Sequence, residues 1–375
     1  MRVVVLTPIP LWHPATTELA ERLKQEGLDI KLADIWTLRT IGENGEILNA
    51  IPSIFRGLTL RIIRNLLRKR FINKLLSNDD IVDIHWCDSN YSRYTDILMS
   101  SGGKLVTTIF GSDIYRNSAE DKIKQKELFS KAHIIVLGPN MKDDFNRMFP
   151  GLESKLRFNQ YGSSRLDLID NMSRGNSLAL RKKHNIAEDK IVVTLGYNAK
   201  KEQQHSLFIE MLQGVDHKIK QQLHLILPMT YGENENPAYI TTVKEKLESL
   251  EISYTLYDKW MDDVELAETK LISDITVNIQ QTDALSSSIK EALVAQDIVL
   301  VGDWLPYKIY EDMGVFIIRS AINELFDSFI EIISSFDAHK SKCKNNKDLI
   351  MTFASWKSVL PEFIQTYKQL SDGGN

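Results

Sequence analysis

Short, almost wholly apolar segments alternate with amphipathic segments along this chain, and this alternation restricts the fold more than any other feature. The apolar "RVVVLTP" precedes the amphipathic "TTELAERLKQEG", and later apolar segments are "DIVDIHW", "KLVTTIFG" and "AHIIVLG". Strands of a parallel sheet are apolar on both faces because helices cover the sheet on each side. The first half of the chain therefore predicts an α/β domain with a doubly wound parallel sheet.

A second series of strands starts after the polar stretch "NMSRGNS", with "KIVVTLGY", "LHLILPM", "SYTLYD", "ITVNI" and "DIVLVGD". A length of 375 residues with 43% hydrophobic residues suits two domains of ordinary size. The pattern predicts an N-terminal domain over 1–168, a C-terminal domain over 176–345 and closing helices over 346–375, broken near Pro361. Two such sheets facing each other would leave a cleft at the carboxyl ends of their strands.

Composition excludes several classes of function. The 46 basic and 50 acidic residues and a pI near 6.1 give no overall positive field, so we expect no nucleic-acid partner. Cys87 and Cys343 form no C-x-x-C pair, which favours a reducing cytoplasm. No apolar run approaches the ~20 residues that span a bilayer. Metal-binding motifs are missing from the sequence, which predicts no cofactor and no tightly bound metal.

The segment "QTDALSSSIKEALVAQDIVLVGD" combines serines and acidic residues immediately before a very apolar strand. Ser286, Ser287 and Ser288 are candidates to cap a helix whose N-terminal N–H groups could bind a diphosphate. Glu291, early in that helix, could accept two hydrogen bonds from a ribose diol. The alternative is a structural capping box, in which Ser288 caps the helix and Glu291 closes the box.

With two α/β domains, this sequence resembles the GT-B glycosyltransferases, in particular glycosyltransferase family 4. That family carries a Glu-x7-Glu pattern, and Asp283 and Glu291 have the same spacing here. The resemblance implies that Glu291 holds the ribose hydroxyls of a nucleotide-sugar donor and that Asp283 faces the transferred sugar. Aspartate in the first position departs from the family pattern, since its side chain is one methylene shorter.

Other strand ends of the second domain predict further donor contacts. Gly196 lets the backbone approach a phosphate, and the lysines that follow could neutralise its charge. The family has Lys-Gly where this chain has Gln203-Gln204. The alternatives are solvated loop lysines and an ordinary turn in "LILPMTYGENENPAYI". The predicted donor-binding residues, besides Glu291 and the serines, are Gly196, Tyr197, Lys200, Lys201, Thr230, Tyr231 and Gly232.

In the first domain, "TTIFGSDIYR" resembles a family segment in which Gly111, Ser112 and Asp113 are retained and Phe110 replaces a frequent histidine. Asp113 could act as the base toward an acceptor hydroxyl, or it could cap the next helix. With Asp283 and Glu291 it completes the catalytic candidates. The predicted acceptor-binding residues are Trp12, His13, His85, Trp86, Asp88 and Arg116. Whether transfer retains or inverts the anomeric configuration stays open.

The segment over residues 56–76, "RGLTLRIIRNLLRKRFINKLL", is basic and contains no acidic residue. Leu60, Ile63, Leu67, Phe71 and Leu75 recur along one helical stripe, which is typical of a helix on an anionic membrane surface. The alternative is a helix that packs on its own sheet and has a basic outer face. This segment and the resemblance together predict a peripheral enzyme on the cytoplasmic face of a bacterial membrane.

The resemblance implies a metal-independent transferase that builds surface polysaccharide, such as O-antigen or capsule. Its acceptor would be a glycan or an undecaprenyl-linked saccharide. Two alternatives stay open at this point. One is a nucleotide-sugar epimerase of the same fold, and the other is a non-catalytic partner that only binds a nucleotide-sugar or a glycan.

Overall fold

The structure is a computed structural model that describes residues 1–8, 14–42, 46–49, 61–172, 177–230 and 237–372. Its contacts divide the chain into two compact units, which are described separately below. Unit 1 contains residues 1–162 and 356–375, and unit 2 contains residues 163–355.

Unit 1 starts with strands and helices that alternate along the chain. They are β1 (Arg2–Leu6), α1 (Pro14–Gln25), β2 (Asp29–Asp34), β3 (Arg39–Ile41), β4 (Ile47–Asn49), α2 (Arg61–Leu75), β5 (Ile81–His85), α3 (Thr95–Gly102), β6 (Lys104–Thr108), α4 (Ser112–Tyr115), α5 (Ala119–Lys131), β7 (Ile134–Leu137), α6 (Lys142–Met148) and β8 (Leu156–Phe158).

Across the described residues, the strands of unit 1 form an eight-stranded sheet in the order β4-β3-β2-β1-β5-β6-β7-β8. All neighbours are parallel except β2–β3 and β3–β4, which pair antiparallel at one edge. Apolar clusters cover the sheet on both faces, and β1 contributes Val4 and Leu6 to one and Val3 and Val5 to the other. This alternation explains why the strand sequence is apolar at every position from Val3 to Leu6.

Unit 2 repeats the same architecture. Its elements are α7 (Ser164–Met172), α8 (Ser177–Lys183), β9 (Ile191–Leu195), α9 (His205–Gln213), α10 (His217–Lys220), β10 (Leu223–Pro228), α11 (Pro237–Glu248), β11 (Ser253–Tyr257), α12 (Asp263–Ile272), β12 (Ile275–Asn278), α13 (Ser287–Val294), β13 (Ile298–Gly302), α14 (Lys308–Asp312), β14 (Ile318–Ser320), α15 (Leu325–Ser334), α16 (Phe336–Lys342) and α17 (Asn346–Ala354). In the described part of the unit, the sheet is six-stranded and parallel throughout, in the order β11-β10-β9-β12-β13-β14.

The last helix, α18 (Trp356–Asp372), returns to unit 1 and packs on α1. The predicted closing segment 346–375 is therefore divided, because α17 packs on α13 in unit 2. The predicted boundary at 168–176 moves to Gly162–Ser163, since α7 packs on α12 and α13. The helix break expected near Pro361 falls at Ser355 instead, and Pro361 lies inside α18. Burial of Trp356, Val359 and Phe363 on that helix offsets the hydrogen bond that proline cannot form.

The predicted fold class, two doubly wound parallel-sheet domains, is confirmed. No described helix has the length and apolar character required to cross a membrane.

Candidate functional site

The strand order of unit 2 identifies where a ligand would bind. Numbered from β9, the sheet has the order 3-2-1-4-5-6, in which the chain reverses direction across the sheet between β9 and β12. Helices that leave these two strands go to opposite sides, so a crevice opens outside their carboxyl ends. The candidate donor residues after β9 and β12 lie at this edge of the sheet.

Glu291 is buried in α13, and its carboxylate is engaged by one arginine. The Arg165 Nε donates to Glu291 Oε1 at 2.7 Å, and Arg165 Nη1 donates to Asp263 Oδ1 at 3.2 Å. The negative charge of Glu291, followed by that of Asp263, raises the pKa of Arg165. Among the described residues Oε2 accepts no hydrogen bond, so one carboxylate oxygen is available to a ligand.

Asp283 lies in the loop before α13 within a compact polar cluster. Its Oδ2 accepts from Asn278 Nδ2 at 3.0 Å and from the Tyr307 hydroxyl. Tyr307 is fully buried, and its hydroxyl lies 3.1 Å from Ser286 Oγ. Burial and the charge of Asp283 raise the pKa of Tyr307, so this phenol stays neutral. Asp283 is thus fixed in place by residues of β12 and of the segment after β13.

The three serines do not cap α13 with their side chains. Ser286 occupies the N-cap position without a side-chain cap bond, because its hydroxyl contacts Tyr307. Ser288 lies inside the helix and accepts from Lys270 Nζ at 2.7 Å. The capping box of Ser288 and Glu291 that was the structural alternative is therefore absent. First-turn N–H groups without a side-chain cap are suited to an anion.

The end of β9 brings backbone close to polar side chains. Gly196 has φ +65°, and a Cβ there would lie 2.6 Å from His205 Nε2 and 2.9 Å from Gln203 Oε1. Both the left-handed conformation and the lack of space require glycine at this position. Gln203 Oε1 also accepts from the N–H of Tyr197, while the Tyr197 hydroxyl donates to Gln280 Oε1 at 3.1 Å.

Two buried nitrogens at this edge lack partners. Within the described residues, His205 Nε2 and Gln280 Nε2 make no hydrogen bond, although both side chains are at least nine-tenths buried. Burial lowers the pKa of His205 to about 4, so the imidazole is neutral at physiological pH. Buried polar atoms without partners are rare in folded proteins. The place of His205 Nε2 beside Gly196 is consistent with a polar ligand that supplies the missing contact.

The structure gives fewer contacts for the remaining donor candidates of unit 2. Lys201 is exposed, and the Lys200 N–H donates to Asn198 Oδ1 at 2.9 Å. Thr230 is buried just after β10. Tyr231 and Gly232 lie outside the described residues.

In unit 1, His85 belongs to a buried network. Its Nδ1 lies 3.0 Å from the Tyr161 hydroxyl and 3.3 Å from Thr16 Oγ1, and its Nε2 lies 3.2 Å from Asp83 Oδ2. Asp83 also accepts from Tyr367 of α18 at 2.7 Å. Because both ring nitrogens face protein atoms and the ring is 1% exposed, this geometry favours a structural role for His85 in the core over the predicted contact with an acceptor.

Asp113 is a buried carboxylate that joins two loops. Its Oδ2 accepts from the N–H of Cys87 at 3.0 Å, and its Oδ1 accepts from the N–H groups of Phe110 at 3.1 Å and Gly111 at 2.7 Å. Burial raises the pKa of Asp113 to about 6, and these backbone bonds act in the opposite direction. The carboxylate holds the loops after β5 and β6 together, and its role as a base stays a prediction.

Three other acceptor candidates lie on the same loops of unit 1. Trp86 is half-exposed with φ +65°, and Arg116 is exposed at the end of α4. Asp88 caps the following 3-10 helix, since its Oδ1 accepts from Asn90 N at 2.7 Å. Trp12 and His13 lie outside the described residues.

Comparison with known proteins identifies the fold. No protein-family model matches this sequence, and no curated protein matches it. Among solved structures, a glycosyltransferase from Rickettsia africae is similar with a TM-score of 0.76 and 15% identity, over 100% of this chain and 99% of that one. The chain has the GT-B fold.

Two further GT-B structures support this assignment. Sucrose-phosphate synthase from Thermosynechococcus elongatus has a TM-score of 0.74 at 12% identity and covers 100% of both chains. Anabaena HepE in complex with UDP and glucose has a TM-score of 0.69 at 12% identity, over 98% of this chain and 99% of that one. These likenesses extend over the whole GT-B architecture.

Sequence reasoning missed several residues of the site. Arg165 is 126 positions from Glu291 in sequence, so no local pattern pairs them. Asn278 and Tyr307 hold Asp283. In the sequence, Asn278 was visible only as the end of an apolar strand and Tyr307 only as a residue that follows one. Lys270 and Lys290 sit in helices whose composition suggests ordinary amphipathic surface positions, yet both are buried. In the described residues no group of three His, Cys, Asp or Glu could hold a metal.

Proposed function

We propose that this protein is a glycosyltransferase that moves a sugar from a nucleotide-sugar, bound by unit 2, to an acceptor bound by unit 1. The observation that carries the proposal is the edge of the unit 2 sheet between β9 and β12. There, one oxygen of buried Glu291 accepts no hydrogen bond from the described residues, and the first turn of α13 is uncapped by side chains. Gly196 lies beside His205 Nε2, a buried nitrogen without a partner in the same part of the chain. These are the contacts that a ribose diol and a diphosphate require.

The ligands of similar structures agree with a nucleotide-sugar donor. Anabaena HepE was solved in complexes with UDP and with UDP-glucose. We therefore propose a uridine nucleotide as the first donor class to test. In this proposal Glu291 binds the ribose, Asp283 faces the sugar, and the residues after β9, including Tyr197, Lys200 and Lys201, line the phosphate side together with Thr230.

In the proposed mechanism, the protein mainly positions the donor and the acceptor and stabilises the negative charge of the leaving diphosphate. The bond between the sugar C1 and the diphosphate oxygen breaks, its electron pair stays on the diphosphate, and the acceptor oxygen bonds to C1. Helix N–H groups and cations near the diphosphate favour this step because negative charge builds there. Asp113, as proposed base, would take the proton of the acceptor hydroxyl. Its three backbone hydrogen bonds also agree with a different role, in which Asp113 holds the loops after β5 and β6 together.

Donor binding gives the test of this function. Glu291→Gln replaces a charged acceptor by a mixed donor and acceptor, so we expect nucleotide-sugar binding to weaken by about 1.5–3 kcal/mol. Isothermal titration with UDP-glucose and related nucleotide-sugars measures the loss. Glu248→Gln, at an exposed position of α11, is the matched control and should bind as the wild type does. No nucleotide-sugar binding by the wild type, or equal binding by Glu291→Gln, would contradict the proposal.

Turnover distinguishes the alternative functions. A transferase releases the nucleoside diphosphate together with a glycosylated acceptor. Nucleotide release without any glycosylated product favours a nucleotide-sugar epimerase of the same fold. Tight donor binding without turnover against a panel of lipid-linked acceptors favours a non-catalytic partner. We propose the transferase, acting on a glycan or an undecaprenyl-linked saccharide in surface polysaccharide synthesis such as that of O-antigen or capsule.

Helix α2 supports a peripheral position on an anionic membrane. Its C-terminal half packs on the sheet through Ile72 and Leu75, whereas Ile63 and Leu66 are exposed near its start. Of the predicted membrane-facing stripe, Phe71 and Leu75 pack on the core of unit 1 instead, Ile63 is exposed, and Leu60 lies outside the described residues. Arg68 is not a membrane contact, because its guanidinium lies 4.8 Å from the centroid of the Trp36 ring.

Vesicle binding tests this proposed position. Each basic side chain near an anionic surface contributes about 1 kcal/mol, so neutralising three exposed ones should lower partitioning at least about tenfold. The variant is Lys69→Gln, Arg70→Gln and Lys74→Gln, measured by co-sedimentation with phosphatidylglycerol vesicles at low salt. The matched control is Lys182→Gln, Lys218→Gln and Lys344→Gln, at exposed positions of unit 2. Equal losses in both triple variants, or no binding by the wild type, would defeat the claim.

A further inference from the structure

Lys290 is a buried lysine that lacks a hydrogen bond or ion pair within the described part of the chain. It precedes Glu291 in α13, and only 4% of it is exposed. Its ammonium makes no hydrogen bond or ion pair with the described residues. Lys270 is buried as well, but its ammonium donates to Ser288. Because a buried charge without a partner destabilises the fold, Lys290 calls for an explanation other than packing.

From helix geometry we expect the Lys290 ammonium to lie toward the N-terminal end of α13. Side chains of a helix lean toward its N-terminus, over the residues three and four positions earlier. For Lys290 these are Ser287 and Ser286, in the turn whose N–H groups lack a side-chain cap. The charge of Asp283, which precedes that turn, acts on Lys290, in agreement with this direction. The ammonium and the helix N–H groups thus face the same region.

The acidic groups near Lys290 are already engaged by other residues. On its own helix, Glu291 is bound by Arg165 of α7. On the preceding loop, Asp283 is bound by Asn278 and Tyr307. Lys270 of α12 contributes a further positive charge beside Glu291. The positive charge of Lys290 is therefore left without an ion pair, at the turn where an anion would meet helix N–H groups.

We propose that the Lys290 ammonium binds the phosphate that carries the sugar and stabilises the negative charge that develops on the leaving diphosphate. This proposal rests on the proposed glycosyltransferase function and adds a residue that sequence reasoning did not select. The electron pair of the broken bond goes to the diphosphate oxygen. Lys290 stays protonated throughout and moves no proton. It would supplement Lys200 and Lys201, which lie in the segment after β9.

The protonation of Lys290 gives this contact a pH dependence. Burial lowers the pKa of Lys290 to about 8, while Glu291 and Asp283 act in the opposite direction. An anion beside the ammonium favours its charged form, so binding at higher pH must take up a proton. The affinity for a diphosphate should consequently fall as pH rises through the pKa of the unliganded protein. Inorganic pyrophosphate, which carries no base or sugar, isolates this contact.

The experiment compares the wild type with Lys290→Met, an uncharged side chain of similar length. Isothermal titration measures binding of pyrophosphate, UDP and uridine, and thermal unfolding measures stability without ligand. We expect Lys290→Met to bind pyrophosphate and UDP at least tenfold more weakly, to bind uridine as the wild type does, and to unfold at a higher temperature. The increase follows from removal of an unpaired buried charge. Lys344→Met, at an exposed position, should match the wild type in every measurement.

The outcomes distinguish a wrong assignment of Lys290 from a wrong proposed function. If Lys290→Met binds UDP and pyrophosphate as tightly as the wild type, the assignment of Lys290 is overturned while the transferase proposal stands. If Lys290→Met loses pyrophosphate binding but the wild type binds no nucleotide-sugar, Lys290 is an anion-binding residue and the transferase proposal fails. Binding of neither probe by the wild type overturns both.

The wild type supplies a second readout that needs no variant. Its affinity for pyrophosphate should fall at least fivefold between pH 7.5 and pH 9.5, and this loss should be absent from a folded Lys290→Met. A pH-independent affinity in the wild type would overturn the assignment even if the variant does not fold.

Discussion

Trp356→Ala is expected to lower the free energy of unfolding of unit 1 by about 3–5 kcal/mol, the usual cost of removing a fully buried tryptophan. Trp356 has no exposed surface, and its Nε1 donates to Glu18 Oε2 at 2.6 Å. The Arg22 guanidinium lies 5.5 Å from the ring centroid. Gly162 packs so closely that a Cβ there would lie 2.4 Å from the ring. The indole therefore fixes the start of α18 to α1 and to the end of the first chain segment.

Urea unfolding measures this loss, and hydrogen exchange locates it. Amides of β1 and β6 in unit 1 should lose protection in Trp356→Ala, whereas those of β9 and β12 in unit 2 should keep it. Trp260→Ala is the matched control, because the Trp260 side chain is 78% exposed and its removal should change stability by less than about 0.5 kcal/mol. Equal losses in the two variants, or loss of protection confined to unit 2, would show that α18 does not complete unit 1.

Asp113→Asn is expected to destabilise unit 1 most at acidic pH and less at neutral pH. An amide cannot accept on both sides, so one of the three backbone N–H groups loses its acceptor, at a cost of about 1–3 kcal/mol. The wild-type carboxyl adds a pH-dependent part. Its pKa is raised to about 6 in the folded protein from 3.8, so the folded state binds the proton more tightly. That contribution to stability is full below the unfolded pKa and is lost as pH rises through the folded pKa.

The difference in stability between wild type and Asp113→Asn should narrow by about 3 kcal/mol between pH 3 and pH 7, since each pKa unit corresponds to 1.36 kcal/mol. Urea unfolding at intervals across this range measures it. Asp143→Asn, at an exposed position of α6, is the control. Its difference in stability from the wild type should not show the narrowing with pH that is expected for Asp113→Asn. A difference that widens with rising pH would mean that the three backbone bonds outweigh burial and lower the pKa of Asp113.

The strands were predictable because their signal is local. Apolar runs such as "RVVVLTP" and "DIVLVGD" became β1 and β13, and the parallel sheets follow from helices between them. Gly196 has a positive φ and its Cβ position is filled by His205 and Gln203, so glycine is required there, while the predicted approach of a phosphate stays a prediction.

The contacts that organise the site were not predictable, because they join distant parts of the chain. The serine triplet suggested side-chain capping, but Tyr307 engages Ser286 and Lys270 engages Ser288. Periodicity cannot show that a neighbouring helix supplies such partners. Lys290 likewise appeared as one charge in an amphipathic helix, whereas every residue from Ile289 to Val294 is buried.

The division of unit 1 into two chain segments has a consequence for synthesis on the ribosome. Unit 2 is continuous over residues 163–355, while unit 1 needs both residues 1–162 and residues 356–375. Domains generally fold as units while the chain emerges. The unit that comes second in sequence is therefore the first to have all its residues. The hydrogen bond from the Tyr367 hydroxyl to Asp83 can form only after α18 has been synthesised. Premature termination at position 355 would thus damage the beginning of the protein rather than its end.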